Sequence, residues 1–133
     1  MSRTQMYAMT KKIQLVDDSE AIRRALSHIF RTAGFEVCDD ARTASQGILE
    51  ALLAHPDLIV LDMSLPDMNG LQAASILHSV VPDSPIMLFT LFVETIAERE
   101  ARKLGVAAMI SKHEPTDILV QKASELLKLT VAS

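Results

Sequence analysis

At 133 residues the chain has room for one domain, and an apolar content of 49% excludes a disordered chain. A formal charge of −4 without a long basic run excludes direct nucleic-acid binding; the nearest approach to a basic patch, residues 99–103, is interrupted by Glu100. No window approaches the ~18 apolar residues of a membrane span, residues 1–10 read as a short disordered lead without a signal-peptide core, and the single Cys38 reads as a buried, reduced thiol of a cytosolic protein.

Residues 13–16 are a short apolar run, read as the first strand, and Asp17, Asp18 and Ser19 follow at once. Two adjacent carboxylates at a strand end repel one another unless a cation sits between them. An N-cap role for Asp18 or Ser19 accounts for one acid, not both. Residues 21–32 are an amphipathic helix, with Ile22, Ala25, Leu26, Ile29 and Phe30 on one face and Arg23, Arg24, Ser27 and Arg31 on the other. Gly34 ends it. Residues 35–38 are the second strand, after which Asp39 and Asp40 begin and solvate a loop. Residues 43–54 are the second helix, with Ile48, Leu49, Leu52 and Leu53 apolar; it closes at His55-Pro56, because the residue before a proline avoids helical angles.

The apolar run 58–61 ends abruptly on Asp62. Rich in Leu, Ile and Val and bounded by turn residues, it reads as a strand buried on both faces, the kind found in parallel sheets covered by helices. Pro66, Asn69 and Gly70 lead into a third helix over 71–80, with Leu71, Ala74, Ile76, Leu77 and Val80 on its apolar side. A turn cluster at 82–85 precedes the fourth strand, 86–89, which ends on Thr90. A fourth helix over 93–104 stops at Gly105, and a fifth strand over 106–110 is followed by Ser111 and Lys112. Pro115 opens the last helix, whose core face holds Ile118, Leu119, Ala123, Leu126 and Leu127. The five-fold alternation predicts an α/β fold, a doubly wound parallel sheet of five strands flanked by five helices with right-handed crossovers.

In such sheets ligands bind beyond the carboxyl ends of the strands. The first strand ends in Asp17 and Asp18, the third in Asp62, the fourth in Thr90, and Lys112 follows the fifth. Each has a plain structural reading, such as Asp62 merely starting a turn, but five such residues at one edge point to chemistry. Three carboxylates are hard oxygen ligands, and Mg²⁺ suits a few carboxylates with waters and a phosphate oxygen. His28, His55, His78 and His113 are scattered, so no zinc cluster competes. With Mg²⁺ bound, one carboxylate can accept a phosphoryl group as an aspartyl phosphate, a reaction that asks mainly for positioning and charge neutralisation. Lys112 and the metal would neutralise the phosphoryl oxygens, and the Thr90 hydroxyl would donate to one. The chain has no Gly-rich phosphate loop of the Walker or dinucleotide kind.

Asp17-Asp18, Leu61-Asp62-Met63, Leu65-Pro66-Asp67-Met68-Asn69-Gly70, Thr90, Gly105 and Ser111-Lys112 carry a resemblance in both order and spacing. The chain resembles the receiver domain of two-component response regulators (the CheY-like superfamily) from about residue 12 to residue 128. The resemblance implies a flavodoxin-like strand order 2-1-3-4-5, a receiver over residues 11–129 and a short tail over 130–133. It implies that Asp62 accepts a phosphoryl group from a phosphohistidine on a sensor histidine kinase or histidine phosphotransfer protein. Asp17, Asp18 and Asp62, with the backbone carbonyl of Ser64, would hold Mg²⁺, while Thr90 and Lys112 contact the phosphoryl group. The fourth helix, fifth strand and fifth helix would be the output surface, where phosphorylation changes homodimerisation or docking of a downstream effector protein or domain. Such a module works in the cytoplasm and is not an enzyme with an external product.

Three positions depart from the family. Met109 stands where receivers usually carry Tyr or Phe, so an aromatic-rotamer switch is not available, although a flexible Met can repack. Leu91 follows Thr90 where a small residue is usual and would crowd the phosphoryl group. His113 replaces a proline whose preceding bond is usually cis; without proline a cis bond costs about 3 kcal/mol, so a trans, differently shaped loop or a strained one is expected. Ser64 and Phe92 flank the route of hydrolytic water in the family, and a Phe at 92 implies slow self-dephosphorylation. These departures support an alternative, a degenerate receiver that binds partners independently of phosphorylation. A third reading, an aspartyl-phosphate phosphatase, wants a second acid two residues after the nucleophile, where this chain has Ser64.

Overall fold

The computed structural model describes residues 11–91 and 98–128. The expected lead, Phe92, the first part of the expected fourth helix and the tail lie outside the described residues. Strands and helices alternate as β1 (Lys12–Val16), α1 (Glu20–Thr32), β2 (Glu36–Val37), α2 (Ala44–Ala54), β3 (Leu58–Asp62), α3 (Gly70–Val80), β4 (Ile86–Thr90), α4 (Glu98–Lys103), β5 (Val106–Ser111) and α5 (Thr116–Leu126). All neighbouring strands pair in parallel, in the order β2-β1-β3-β4-β5. This is the doubly wound, flavodoxin-like sheet expected from the sequence. β3 and β4 are buried along their whole length, as unbroken apolar strands covered on both faces must be.

Side-chain caps set the starts of α1, α2 and α3. Ser19 Oγ accepts from Ile22 N–H at 3.3 Å, and Thr43 Oγ1 accepts from Gln46 N–H at 3.1 Å. Asn69 and Gln72 form a reciprocal capping box at α3. Gly34 follows the C-cap of α1 at φ 98°, the left-handed conformation that ends a helix without a Cβ penalty. Pro115 stands at the N-cap of α5, next to its first turn as expected. β2 is shorter than expected and stops at Val37, so Cys38 lies half-buried beyond it; burial pushes its thiol up.

Two apolar layers sandwich the sheet. On one face Leu26 and Phe30 of α1 and Leu119 and Ala123 of α5 pack on Ile13, Leu15, Leu58, Val60 and Met87. On the other, Ala44 and Ala51 of α2, Ala73, Ala74 and Leu77 of α3 and Ala101 of α4 pack on Val16, Ile59, Leu61, Ile86 and Leu88. The second layer differs from the sequence expectation. Leu49, Leu52 and Leu53 of α2, and Ile76 and Val80 of α3, point outward. The cause is the close approach of α2 to the sheet: a Cβ on Gly47 would lie 2.9 Å from Val16 Cγ2. At the closest approach only Gly and Ala are buried; Ile48 reaches the layer half-buried, and the three leucines take the outer face.

Candidate functional site

Strand register brings the polar residues together. Val16 pairs with Leu61 and Asp62 with Phe89, so Asp17, Asp62 and Thr90 stand at adjacent strand ends. β1 lies between β2 and β3, so the crevice beyond it is the topological switch point where such sheets bind ligands. One carboxylate oxygen from each of Asp17, Asp18 and Asp62 lies within 4.8 Å of the others; Asp17 and Asp62 are buried and Asp18 is exposed. These hard oxygen donors at that spacing fit a small divalent cation such as Mg²⁺.

Lys112 enters from β5. Its N–H donates to Thr90 O at 2.8 Å, carrying the chain on beside β4. Its ammonium then lies 3.0 Å from Asp17 Oδ2 and 3.1 Å from Asp62 Oδ1, and 5.7 Å from the centre of the Phe89 ring. Burial and the Asp17 charge push the Asp62 carboxyl up, opposed by Lys112 and the Ser64 backbone N–H. Burial disfavours the Lys112 charge, but the hydrogen bonds and charges of Asp17 and Asp62 outweigh it and leave Lys112 raised. Thr90 is buried at the end of β4. Ser64 is exposed and forms an isolated antiparallel bridge with Asn69 across the β3–α3 turn. The structure thus brings Asp17, Asp18, Asp62 and Lys112 into direct proximity, with Thr90 at the end of β4 and Ser64 in the turn just beyond β3.

The three departures resolve differently. The described residues contain no cis peptide bond, so the bond before His113 is trans, and His113 N–H donates to Ser111 Oγ at 3.1 Å. Met109 is half-buried against the layer under α2, α3 and α4. Leu91 is 47% exposed, with much of its side chain in solvent. Phe92 lies outside the described residues.

Two supporting residues escape the sequence reading. Arg23, expected on the solvent face of α1, is buried: Nη1 donates to Asp17 O and Nε to Asp40 Oδ2, each at 2.6 Å. Arg23 therefore pins the end of β1 that carries Asp17, and Asp40 is its partner rather than a solvated loop acid. The available signal is a pair of acids after an edge strand, opposite a helix carrying three arginines. Asp67 is the second. Its carboxylate accepts from Ala44 N–H and Ser45 N–H, each at 2.9 Å, and from Ser45 Oγ at 2.7 Å. It thereby ties the turn after Asp62 to the positive N-terminus of α2, and the hydrogen bonds from Ser45 and Ala44 hold its carboxyl at about 2.

Comparison with known proteins now decides the family. The model of the response regulator receiver domain matches residues 13–124. The chain belongs to this family. It is 35% identical over 114 residues to a protein-glutamate methylesterase/protein-glutamine glutaminase of Archaeoglobus fulgidus, a match covering 85% of this chain and 32% of that protein. The receiver spans about a third of that curated relative. A crystal structure of a CheY-like response regulator receiver domain protein from Methanospirillum hungatei superposes with a TM-score of 0.81 at 27% identity, covering 89% of this chain and 94% of that one. The response regulator TrrA from Thermotoga maritima, solved in complex with Mg(2+)-BeF, superposes at 0.79 with 25% identity, covering 87% and 98%. The chain is thus a CheY-like receiver of two-component signalling, a family that binds Mg²⁺ at an acidic pocket and interacts with histidine kinases and effector domains. Receivers are generally not enzymes themselves; relatives with enzymatic activity carry it in other domains. Among the described residues no helix is long and apolar enough to cross a membrane.

Proposed function

We propose that this receiver is a Mg²⁺-dependent phosphoacceptor in a cytoplasmic phosphorelay, and that Asp62 is the acceptor. The observation that carries the reading is the Lys112 ammonium held between Asp17 and Asp62, with Asp18 beside them, at the switch point of the sheet. A carboxylate oxygen of Asp62 attacks the phosphorus of a phosphohistidine on a histidine kinase or phosphotransfer protein. The new O–P bond forms as the P–N bond breaks, and the imidazole keeps that electron pair and takes a proton. Lys112 favours the ionised carboxylate before transfer and meets the phosphoryl charge afterwards. The Thr90 hydroxyl donates to a phosphoryl oxygen. Asp17, Asp18, Asp62 and the Ser64 carbonyl would hold Mg²⁺, which supplies charge neutralisation at the phosphoryl oxygens when bound. Arg23 and Asp67 keep the two acid-bearing strand ends in place. Docking of a downstream effector then changes at the surface formed by α4, β5 and α5.

Incubation with Mg²⁺ and acetyl phosphate, read by intact mass, tests this. Gain of one phosphoryl group by the wild-type protein and none by Asp62→Asn is the expected result. A folded wild-type protein that stays unmodified both with acetyl phosphate and with a phosphorylated histidine phosphotransfer protein overturns it.

A further inference from the structure

The outer surface of α2 and α3 is built unlike the other helical surfaces. Six large apolar side chains stand exposed among the described residues, and five belong to these two helices: Leu49 at 58%, Leu52 at 43%, Leu53 at 75%, and Ile76 and Val80 at 39% each. The helices lie side by side. His78 backs onto Gly105, where an added Cβ would clash with the His78 Cβ, so that flank of α3 faces the turn before β5. Ile76 and Val80, both about 200° round the helix from His78 at ~100° per residue, take the flank toward α2.

The inner faces are filled by Ala44, Gly47, Ala51, Ala73, Ala74 and Leu77, and the outer five stand exposed among the described residues. Charge is also missing. Glu50 is the only Asp, Glu, Lys or Arg in the two 11-residue helices. In α4, by contrast, every residue but Ala101 is charged.

We propose that this face joins two copies of the chain, with α2 and α3 of one protomer packing on α2 and α3 of the other about a two-fold axis. In such an interface a patch must tolerate itself. A face of aliphatic side chains with almost no fixed charge meets its own copy without like-charge repulsion, and it buries few ions. The same lack of charge disfavours the alternatives. A membrane surface is held by basic residues flanking the apolar ones, and these helices have no Lys or Arg. A charged protein partner finds almost nothing to pair with. Helices about 16 Å long and ~8–10 Å apart offer less than the ~800 Å² per partner of a standard interface, so the dimer is weak and dissociates on dilution. None of this involves Asp62, so the inference stands or falls independently of the phosphoacceptor reading.

Sedimentation equilibrium of the unphosphorylated chain from about 1 µM to ~500 µM tests it, comparing the wild-type protein with Leu53→Glu and Leu49→Lys, and with Arg102→Glu on α4 as the control. Leu53 and Leu49 are mostly exposed, so circular dichroism and melting of both variants should match the wild type. The expected result is a wild-type dimer that dissociates on dilution, a Kd raised at least ~100-fold by Leu53→Glu or Leu49→Lys, and no change with Arg102→Glu. A wild-type protein that stays monomeric to the top concentration, or a dimer that both α2 variants leave intact, overturns the proposal.

Discussion

The two sides of the sheet are covered on opposite plans. Helix α1 buries its bulk: Leu26 and Phe30 point inward, and Arg24 and Arg31 point out. Helices α2 and α3 bury mainly small residues and turn most of their bulk to solvent. What sits between helix and sheet sets the spacing. On the α1 side, large side chains fill a wide gap and the hydrophobic content is used up inside the domain. On the α2 side, Gly47 lets the helix ride on Val16, and the leucines are left for a second layer. The comparison also separates two kinds of apolar residue, those that hold the fold together and those that are held out from it.

Truncating Phe30 should break the larger half of that comparison. Phe30 is fully buried and meets Phe35 edge-on, with ring centres 5.7 Å apart. Phe30→Ala should cost about 3–5 kcal/mol in urea unfolding, the usual price of an emptied aromatic site. A loss below ~1 kcal/mol would mean that the α1 side is not the rigid one. Gly47→Ala should sharpen the other half. Alanine gains up to ~1 kcal/mol in helix propensity. The new methyl, however, meets Val16 Cγ2 at 2.9 Å and Cγ1 at 3.1 Å, and a β-branched side chain yields little at χ1. Overpacking should win, for a net loss of about 1–2 kcal/mol; a gain in stability would show that α2 has room to retreat from the sheet.

The sheet was legible in the sequence because every strand but β2 is a mainly apolar run bounded by turn residues. The acid edge was legible for the same reason: once the strand ends are known, Asp17, Asp62, Thr90 and Lys112 must share an edge, whatever the details of packing. Arg23 and Asp67 were not legible, because each of these bonds joins a loop to a helix distant in sequence, and no periodicity encodes that return path. Helical period places Arg23 with Arg24 on a polar face, and only the return of Asp40 over α1 makes it a buried strut. The inverted pattern of α2 was hidden for a different reason. A search for apolar periodicity follows Leu and Ile, whereas the face that packs is marked by Ala44, Gly47 and Ala51, residues that carry little hydrophobic signal.

Asp67 connects the two regions, because it fixes the start of α2 to the turn that follows Asp62. Its carboxyl is held at about 2, below the ~3.9 of an unfolded aspartate. A depressed folded value contributes stability that is present above the unfolded pKa and lost as pH falls through the folded one. Wild type and Asp67→Asn, compared by urea unfolding from pH 7 down to about 2, should therefore differ by a constant amount above pH ~5 and converge as the pH approaches 2. A difference that stayed constant over the whole range would mean that the carboxylate charge contributes nothing to the latch.

The smallest effect belongs to Leu53, and its concentration dependence carries the information. At 75% exposed, this side chain contributes little within one protomer, so Leu53→Gln should change unfolding stability by no more than ~0.5 kcal/mol in dilute protein. An interface that forms only between folded protomers adds stability by mass action. The gap between wild type and Leu53→Gln should thus be absent at low micromolar protein and open as concentration rises past the dimer Kd. A gap already full-sized in dilute protein would place Leu53 in the monomer's own core, and the two sides of the sheet would then be built alike.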